Sequence, residues 1–460
     1  MDDTTNPTFA GRRERRLPRN PPQNPPEVKA DPAPAPARAG TPGLVKFGII
    51  AGLSLLIFFA RFQLNIGPYF ANPGLIAQLL VLAMLLVNKK LRVEPTRAVL
   101  FVVGMLVMFM AWILSPANSS FLSALLLAAC YFAFIFVARM PDGNESLERF
   151  TMTTFVSLMM LAAIAGICQF LLQFVIHSAW LFDFTPYIPL LFRGGGTYNT
   201  VISAGGFFKS NGFFFREPST CSQYLALAMI CEIAMHRRKM RRLSLIRMGT
   251  LGLALLMTYS GTGLVTLVIG LMFPLGVKTV VRMGVLGLGA VLIFQTLGSV
   301  LNLGFTAGRV DEFNKPGTSA YARFIAPMEF ISDKVDTYSI TFLVGHGPGS
   351  VTRNVEHRAM YENADPTWAK LLFEYGVIGL VVFVTLVFYS TFRSRAPAEL
   401  IAALCIGWFI IWGGVALAPE ITALIFILCA VAAVPPVRRQ LRQRVVADIG
   451  HLGMPTRSSR

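Results

Sequence analysis

The chain alternates apolar segments with short polar connections, and the length of these segments sets what it can fold into. A helix needs about 20 mostly apolar residues to cross the hydrocarbon core of a bilayer. About twelve segments approach this length; they lie near 44–60, 73–88, 98–115, 121–138, 151–176, 216–235, 243–259, 264–277, 283–301, 369–391, 398–414 and 420–434. Only 14% of the residues are charged, well below the roughly one quarter expected of soluble domains. The sequence therefore predicts an all-α, polytopic integral membrane protein with about 12 transmembrane helices.

The position of the positive charge supports this layout. The formal net charge of +17 would suit a nucleic-acid-binding protein. However, the basic residues cluster between the apolar segments and at the two ends of the chain, which is the positive-inside pattern of a membrane protein. With the N-terminus in the cytoplasm, nearly every basic cluster falls on the cytoplasmic side: "KKLRVEPTR", "ARMPDGNESLERF", "HRRKMRR", "KTVVR", "FRSRAP" and "RRQLRQR". We therefore expect no nucleic-acid partner and two cytoplasmic termini.

The predicted domain organisation is a membrane domain between two tails. Residues 1–43 are rich in proline and arginine and have too few apolar residues to pack, so we expect a disordered cytoplasmic tail near anionic lipid, or a docking arm for partners. Residues 44–434 form the membrane domain, and residues 435–460 form a second basic cytoplasmic tail. The six cysteines show no metal-ligand spacing and indicate neither a metal site nor a disulfide framework.

Two long connections, at about 177–215 and 302–368, fall on the outer side of the predicted membrane. Long loops of this kind are commonly functional or disordered. The first loop re-enters the bilayer through "SNGFFFREPSTCSQYLALAM", in which Arg216 and Glu217 precede Pro218. Ionised side chains are expensive in hydrocarbon and usually face a cavity, and a helix start favours an anion. The sequence thus predicts that Arg216 and Glu217 lie at the outer mouth of an apolar segment.

The second loop carries a set of basic side chains and a glycine turn. "GHGPGS" contains His346, and its amides would be able to approach an anion, although such turns often only reverse the chain. "DPTWAKLLFEYG" predicts a helix with Asp365 as the N-cap and Pro366 as its first residue. Guanidinium groups bind phosphate oxygens bidentately and keep their proton. A lipid diphosphate is therefore the ligand class that suits the outer-loop arginines Arg216, Arg309, Arg323, Arg353 and Arg358.

Four blocks of the sequence resemble, in order, those of the O-antigen ligase/polymerase superfamily, which includes the Wzy-type repeat-unit polymerases. The blocks are "SNGFFFREPSTCSQYLALAM", "TYSGTGLVTLVIG", "GHGPGS" and "DPTWAKLLFEYGVIGL". The resemblance covers about residues 200–390, and the predicted layout with two large outer loops extends it over most of the chain.

The resemblance implies a GT-C-like membrane glycosyltransferase that needs no metal or other cofactor. Its donor would be an oligosaccharide linked to undecaprenyl diphosphate, used at the periplasmic face of the bacterial inner membrane for O-antigen or exopolysaccharide synthesis. Arg216 matches the arginine of the first loop's re-entry block, while Arg309 and Arg323 occupy the arginine-bearing stretch before the glycine turn. Membrane lipid, a chain-length regulator and export proteins are the further partners to expect.

The sequence departs from the superfamily in two places. The first departure favours a polymerase over a ligase, and the second indicates that the serine motif serves helix packing. Ligases carry a histidine near the place where Asp365 stands. Many members have an arginine in the serine motif, where this chain has Ser260-Gly261-Thr262-Gly263, and these glycines would permit close helix packing.

The hypothesis for the site assigns diphosphate binding to Arg216, Arg309 and Arg323, with Arg353 and Arg358 as weaker candidates. Asp365, Glu217 and His346 compete for the role of general base, and spacing alone does not choose among them. Loop salt bridges to Asp311, Glu312 or Glu356 are the structural alternative for the arginines. The rival functions are an O-antigen ligase, a lipid-linked sugar flippase or transporter, and a scaffold for other polysaccharide enzymes.

Overall fold

The computed structural model describes residues 43–66, 69–138, 145–193, 201–204, 206–273, 314–316, 318–354, 365–413 and 417–430. Within these residues the protein is mostly helical, which agrees with the predicted fold class. The predicted span at 283–301, the C-terminal tail and the N-terminal tail up to residue 42 lie outside the described residues, as do Arg309 and Arg358.

The helices follow the predicted apolar segments closely. The first eight are α1 (Gly43–Phe58), α2 (Pro73–Val87), α3 (Pro95–Leu114), α4 (Phe121–Phe132), α5 (Glu145–Leu172), α6 (Pro218–Arg237), α7 (Leu245–Met257) and α8 (Gly261–Met272). Four short helices belong to the second long connection: α9 (Ser319–Phe324), α10 (Ala326–Lys334), α11 (Ile340–Val344) and α12 (Ser350–Arg353). The last three are α13 (Thr367–Phe392), α14 (Ala398–Ile406) and α15 (Pro419–Ile425); α14 and α15 continue as π-helical turns at Gly407–Ile411 and Phe426–Ala430.

Three described helices are long and apolar enough to cross a membrane by length and composition: Pro95–Leu114, Leu147–Leu172 and Thr367–Phe392. Seven shorter apolar helices accompany them within the described residues, at Gly43–Phe58, Pro73–Val87, Phe121–Ile135, Leu245–Met257, Gly261–Met272, Ala398–Ile411 and Pro419–Ala430. The number of transmembrane helices stays a prediction.

Helix α6 lies at the centre of the bundle. It packs against α5, α7, α8 and α14, and most of its side chains are buried. Because protein rather than lipid surrounds it, α6 can carry the polar residues Gln223 and Glu232. In contrast, α3 buries only Arg97, Gly104 and Ala111 and leaves most of its apolar side chains at the surface.

Ion pairs join several helix ends at what we call the basic end of the bundle. Arg237 bonds to Glu399 at 3.0 Å and Arg238 bonds to Glu148 at 2.6 Å, so the end of α6 meets the starts of α14 and α5. Arg247 of α7 pairs with the buried Glu232 at 2.8 Å. Connections that the sequence places on one side of the membrane therefore contact one another, and the compartment they face stays a prediction.

The described residues include three short two-stranded antiparallel sheets. They are β1 (Leu64–Ile66) with β2 (Tyr69–Ala71), β3 (Leu91–Val93) with β4 (Phe136–Ala138), and β5 (Ser203–Ala204) with β6 (Phe207–Phe208). An isolated β-bridge pairs Pro366 with Gly413 and joins the start of α13 to the segment that follows α14.

The glycine turn, "GHGPGS", forms hydrogen bonds to α13 at the point where that helix is interrupted. Gly376 adopts φ 64° and ψ −173°, so the helical hydrogen bonds are interrupted there. The carbonyl oxygens of Phe373 and Glu374 accept instead from the amides of His346 and Gly347, at 2.9 and 3.0 Å. These two amides are therefore bonded to the protein itself, whereas the sequence had suggested that amides of this turn would approach an anion.

The predicted cap of this helix is wrong by one residue. Helix α13 begins at Thr367 with Pro366 as its N-cap, so Asp365 lies one residue before the cap and is buried. Pro366 has the extended ψ of 160° because its backbone pairs with Gly413. This tertiary contact prevents Pro366 from serving as the first helical residue.

We expect Gly376→Ala to destabilise the fold strongly. An alanine in the left-handed region costs about 1–2 kcal/mol, and its Cβ would also overlap the backbone of Leu343. The matched control is Gly249→Ala in α7, where an added Cβ meets no atom within 4 Å, so the substitution should stabilise the helix by roughly 0.5–1 kcal/mol. Thermal unfolding of the purified proteins in detergent checks both; equal melting temperatures for Gly376→Ala and the wild type would contradict the account of the break.

Candidate functional site

A small cavity with several charged lining residues lies where α1 ends and α6 and α15 begin. Its volume is about 170 Å³. Four charged side chains line it, Arg216, Glu217, Arg323 and Glu420, together with Gln223, Tyr224 and Trp412. We call the end of the bundle that holds this cavity the cavity end. The site thus combines groups from four separate parts of the chain.

Arg216 lines this cavity and carries an unsatisfied donor. Its Nε donates to the carbonyl oxygen of Ala60 at 2.9 Å, which fixes the plane of the guanidinium. Its Nη2 is buried and has no hydrogen-bond partner among the described residues. A buried unpaired donor is costly. The arrangement therefore suits an anionic ligand that would accept a hydrogen bond from Nη2.

Arg323 reaches the same cavity from α9, in the second long connection. Burial lowers the pKa of its guanidinium, and the charge of Glu217 partly opposes this shift. An arginine nevertheless stays protonated at neutral pH. Glu217 is the N-cap of α6 and accepts a hydrogen bond from the Ser219 hydroxyl at 2.9 Å. The cavity therefore holds two guanidinium groups, and one carboxylate lies close enough to interact with Arg323.

Arg61 holds the wall of the cavity in place and was missed by the sequence reasoning. It is only 1% exposed. Its Nε donates to the carbonyl oxygen of Phe215 at 3.0 Å and its Nη2 donates to that of Phe182 at 2.7 Å. Its Nη1 pairs with Asp183 at 3.3 Å, and its guanidinium carbon lies 4.7 Å from the centre of the Phe184 ring. Arg61 thus ties the first long connection to the residue that precedes Arg216.

The charge balance around Arg61 is consistent with this bonding. Burial lowers its pKa to about 10, with Asp183 raising it and Arg216 lowering it. One feature of the sequence could have identified Arg61. It is an arginine directly after the first apolar segment, on the predicted outer side, where the basic clusters are absent.

The serine motif packs against α6, directly beside the cavity wall. A Cβ on Gly263 would lie 2.5 Å from the carbonyl oxygen of Ser222, so only glycine permits this approach. The hydroxyls of Ser222 and Thr262 lie 3.4 Å apart, and Thr262 also contacts Ser260 at 3.0 Å. The interpretation of Gly263 as a close-packing residue is confirmed.

The other candidates within the described residues, His346, Arg353 and Asp365, do not line the cavity. The His346 ring stacks on Phe373 at 4.4 Å with an angle of 9°, and Arg353 donates through Nη1 to the carbonyl oxygen of Ala117. Asp365 is buried next to Pro366, whose bridge partner Gly413 belongs to the cavity wall. Arg309, Arg358 and their expected partners Asp311, Glu312 and Glu356 lie outside the described residues.

No group of three or more His, Cys, Asp or Glu side chains in the described part of the chain is arranged to hold a metal ion. The chemistry that the cavity supports comes from its charged side chains. Two cations and two carboxylates around one space can bind an anionic group and accept a proton from a neighbouring hydroxyl.

We expect Arg61→Gln to destabilise the cavity end and to abolish activity. The substitution removes the charge of Arg61 and at least one of its hydrogen bonds, and it leaves buried acceptors without a donor. We expect the free energy of unfolding to fall by roughly 3 kcal/mol. Asp183→Asn is the matched control, because the bonds from Arg61 to Phe182 and Phe215 remain. Thermal unfolding and proteolysis between residues 177 and 193 measure the effect. Similar protease sensitivity for the wild type and Arg61→Gln would contradict the role of Arg61.

Comparison with known families identifies the class of protein to which the chain belongs. A family model described as WcaD colanic acid polymerase matches residues 50–434, a range that includes every residue lining the cavity. A comparison with curated proteins found no significant match. The family agrees with the resemblance to Wzy-type O-antigen and exopolysaccharide polymerases. The chain therefore belongs to the WcaD colanic acid polymerase family, the members of which are repeat-unit polymerases of polysaccharide biosynthesis.

Proposed function

We propose that the protein joins lipid-linked oligosaccharide repeat units at the periplasmic face of the bacterial inner membrane. The donor is a glycan on undecaprenyl diphosphate, and the acceptor is a sugar hydroxyl of a second lipid-linked unit. The observation that carries the proposal is the cavity in which Arg216 has a buried unpaired donor and Arg323 supplies a second cation.

The departing diphosphate is the group that this cavity fits. As the bond between the anomeric carbon and the phosphate oxygen breaks, negative charge grows on the leaving group. Preorganised donors stabilise such charge more than they stabilise the ground state. Arg216 is held by the Ala60 carbonyl before substrate arrives, so little reorganisation is needed. We assign diphosphate binding to Arg216 and Arg323, and Arg309 stays a predicted contributor.

The charge distribution supports a periplasmic site. The basic end carries Arg237, Arg238 and Arg247, and the positive-inside pattern predicts that this end faces the cytoplasm. Helix α6 runs from the cavity end, at Glu217, to the basic end, at Arg238. The cavity would then open to the periplasm, and both predicted tails would lie in the cytoplasm.

The rival functions fit the site less well. Transporters commonly place ionisable groups near the bilayer midplane at broken helices. Here the charged groups that line the cavity lie at helix starts or in a connecting segment. A ligase would carry a histidine where Asp365 stands. A scaffold would have no use for a buried unpaired guanidinium donor. A chain-length regulator and export proteins remain proposed partners.

Arg216→Ala is expected to reduce polymer formation by about 10²–10³-fold at normal membrane levels, because it removes a donor to the leaving group. Arg216→Lys should also lose polymer formation, since a lysine lacks the planar guanidinium that can donate to the Ala60 carbonyl and to the ligand at the same time. The matched control is Arg193→Ala, because the side chain of Arg193, in the same outer loop, donates to the carbonyl oxygens of Ile188 and Pro186 at 3.1 and 2.6 Å and does not line the cavity.

Complementation of a deletion strain, followed by analysis of polymer length and of lipid-linked oligosaccharides, measures these effects. The expected phenotype is an accumulation of single repeat units on the periplasmic face. Full-length polymer from both Arg216→Ala and Arg323→Ala would refute the assignment, and accumulation inside the cell would indicate a flippase.

A further inference from the structure

We propose that Glu420 binds the acceptor sugar hydroxyl and removes its proton during glycosyl transfer. This inference rests on the proposed function and adds a catalytic residue that the sequence reasoning did not consider. Glu420 lines the cavity together with Arg216, Glu217 and Arg323. The acceptor subsite is therefore the part of this space that adjoins Glu420.

A fixed amide holds the Glu420 carboxylate in position. Asn72 donates through Nδ2 to Oε1 of Glu420 at 2.5 Å. The oxygen of the same amide accepts from the backbone N–H of Gly74 at 2.7 Å, which leaves the NH₂ group facing Glu420. Asn72 is only 8% exposed. The carboxylate is thus oriented before any substrate binds, which is the condition for efficient general-base catalysis.

The backbone of Glu420 is fixed as well. A Cβ on Gly74 would overlap the backbone of Glu420, so α2 and α15 approach as closely as a glycine allows. Two residues further along α15, Thr422 donates to Gln78 at 3.2 Å, and Gln78 in turn donates to the carbonyl oxygen of Cys130 at 2.8 Å. Both the main chain and the side chain of Glu420 are therefore tied to α2.

The two carboxylates of the cavity differ in what surrounds them. Glu217 interacts electrostatically with Arg323 and accepts a hydrogen bond from Ser219. Glu420 forms no ion pair among the described residues, and Asn72 occupies only its Oε1. Its Oε2 has no hydrogen-bond partner in the described part of the chain and would be able to accept a hydrogen bond from an incoming hydroxyl. We therefore assign Glu217 to positioning Arg323 and Glu420 to the acceptor.

The proposed step balances without a further reactant. The acceptor hydroxyl transfers its proton to Oε2 of Glu420 while its oxygen forms a bond to the anomeric carbon of the donor sugar. The bond from that carbon to the phosphate oxygen breaks, and its electron pair leaves with undecaprenyl diphosphate, which Arg216 and Arg323 bind. Glu420 then releases the proton to water. A general base contributes about 10²–10⁴-fold to the rate of such a reaction.

The test uses the full-length protein in lipid nanodiscs and two measurements on each variant. The first is polymer formation from lipid-linked repeat units extracted from a deletion strain, and the second is binding of undecaprenyl diphosphate. Glu420→Gln keeps the shape of the side chain and its acceptor for Asn72. It should lower polymer formation by at least about 10²-fold, while diphosphate binding stays within about twofold of the wild type.

Three further variants make the outcome specific. Arg216→Ala should lose diphosphate binding and polymer formation together. Glu399→Gln is the matched control, because Glu399 lies in the first turn of α14 at the basic end and pairs with Arg237; it should retain polymer formation. Glu420→Asp keeps a carboxylate and should retain more activity than Glu420→Gln.

Each result separates the two proposals. If the wild type does not bind undecaprenyl diphosphate, the proposed function fails. If Glu420→Gln binds the diphosphate and polymerises at the wild-type rate, or is more active than Glu420→Asp, the acceptor assignment fails and the proposed function stands. Loss of diphosphate binding in Glu420→Gln would place Glu420 on the donor side and would also overturn the inference.

Discussion

Burying a guanidinium group in an apolar helix bundle is costly unless other groups satisfy its donors, and this cost applies to Arg216 at the start of α6. One of its donors is bonded to the Ala60 carbonyl, while Nη2 remains buried and unpaired within the described residues. The surrounding structure follows from this constraint. Arg61 fixes the backbone that precedes Arg216, and Glu217 offsets part of the charge of Arg323. Under the proposed function, this unpaired donor is the position at which an anionic ligand would complete the site.

The sequence predicted the local features of this site and missed those that depend on tertiary contacts. The apolar segment predicted at 216–235 located α6 within about two residues of its bounds, and the unusual Arg216-Glu217 pair identified its polar start. Arg323 was proposed as an outer-loop arginine and from the family resemblance, and the structure brings it to the same cavity from about a hundred residues further along the chain. Glu420 and Arg61 were missed because one carboxylate before an apolar segment, or one arginine after it, gives no sign of what packs against it. Their positions depend on the contacts of α15 with α2 and of α1 with the first outer loop.

The glycine turn and the start of α13 show why a local pattern can be correct and its interpretation wrong. Asp365 and Pro366 form a common capping pair, yet the bridge from Pro366 to Gly413 keeps the proline extended and moves the helix start to Thr367. The "GHGPGS" turn has the backbone freedom of an anion site. Its amides instead bond the carbonyl groups that the break at Gly376 leaves free, and this break could not be read from an otherwise apolar helix.

The central claim is that the guanidinium groups of Arg216 and Arg323 bind one diphosphate. The most direct measurement is a cryo-electron-microscopy structure of the full-length protein in lipid nanodiscs with undecaprenyl diphosphate added. The account predicts diphosphate density in the cavity, with a phosphate oxygen within hydrogen-bond distance of the Arg216 Nη2 and a second oxygen contacting Arg323. Density at the glycine turn, at the basic end near Arg237, or anywhere that leaves both arginines without a ligand would contradict it.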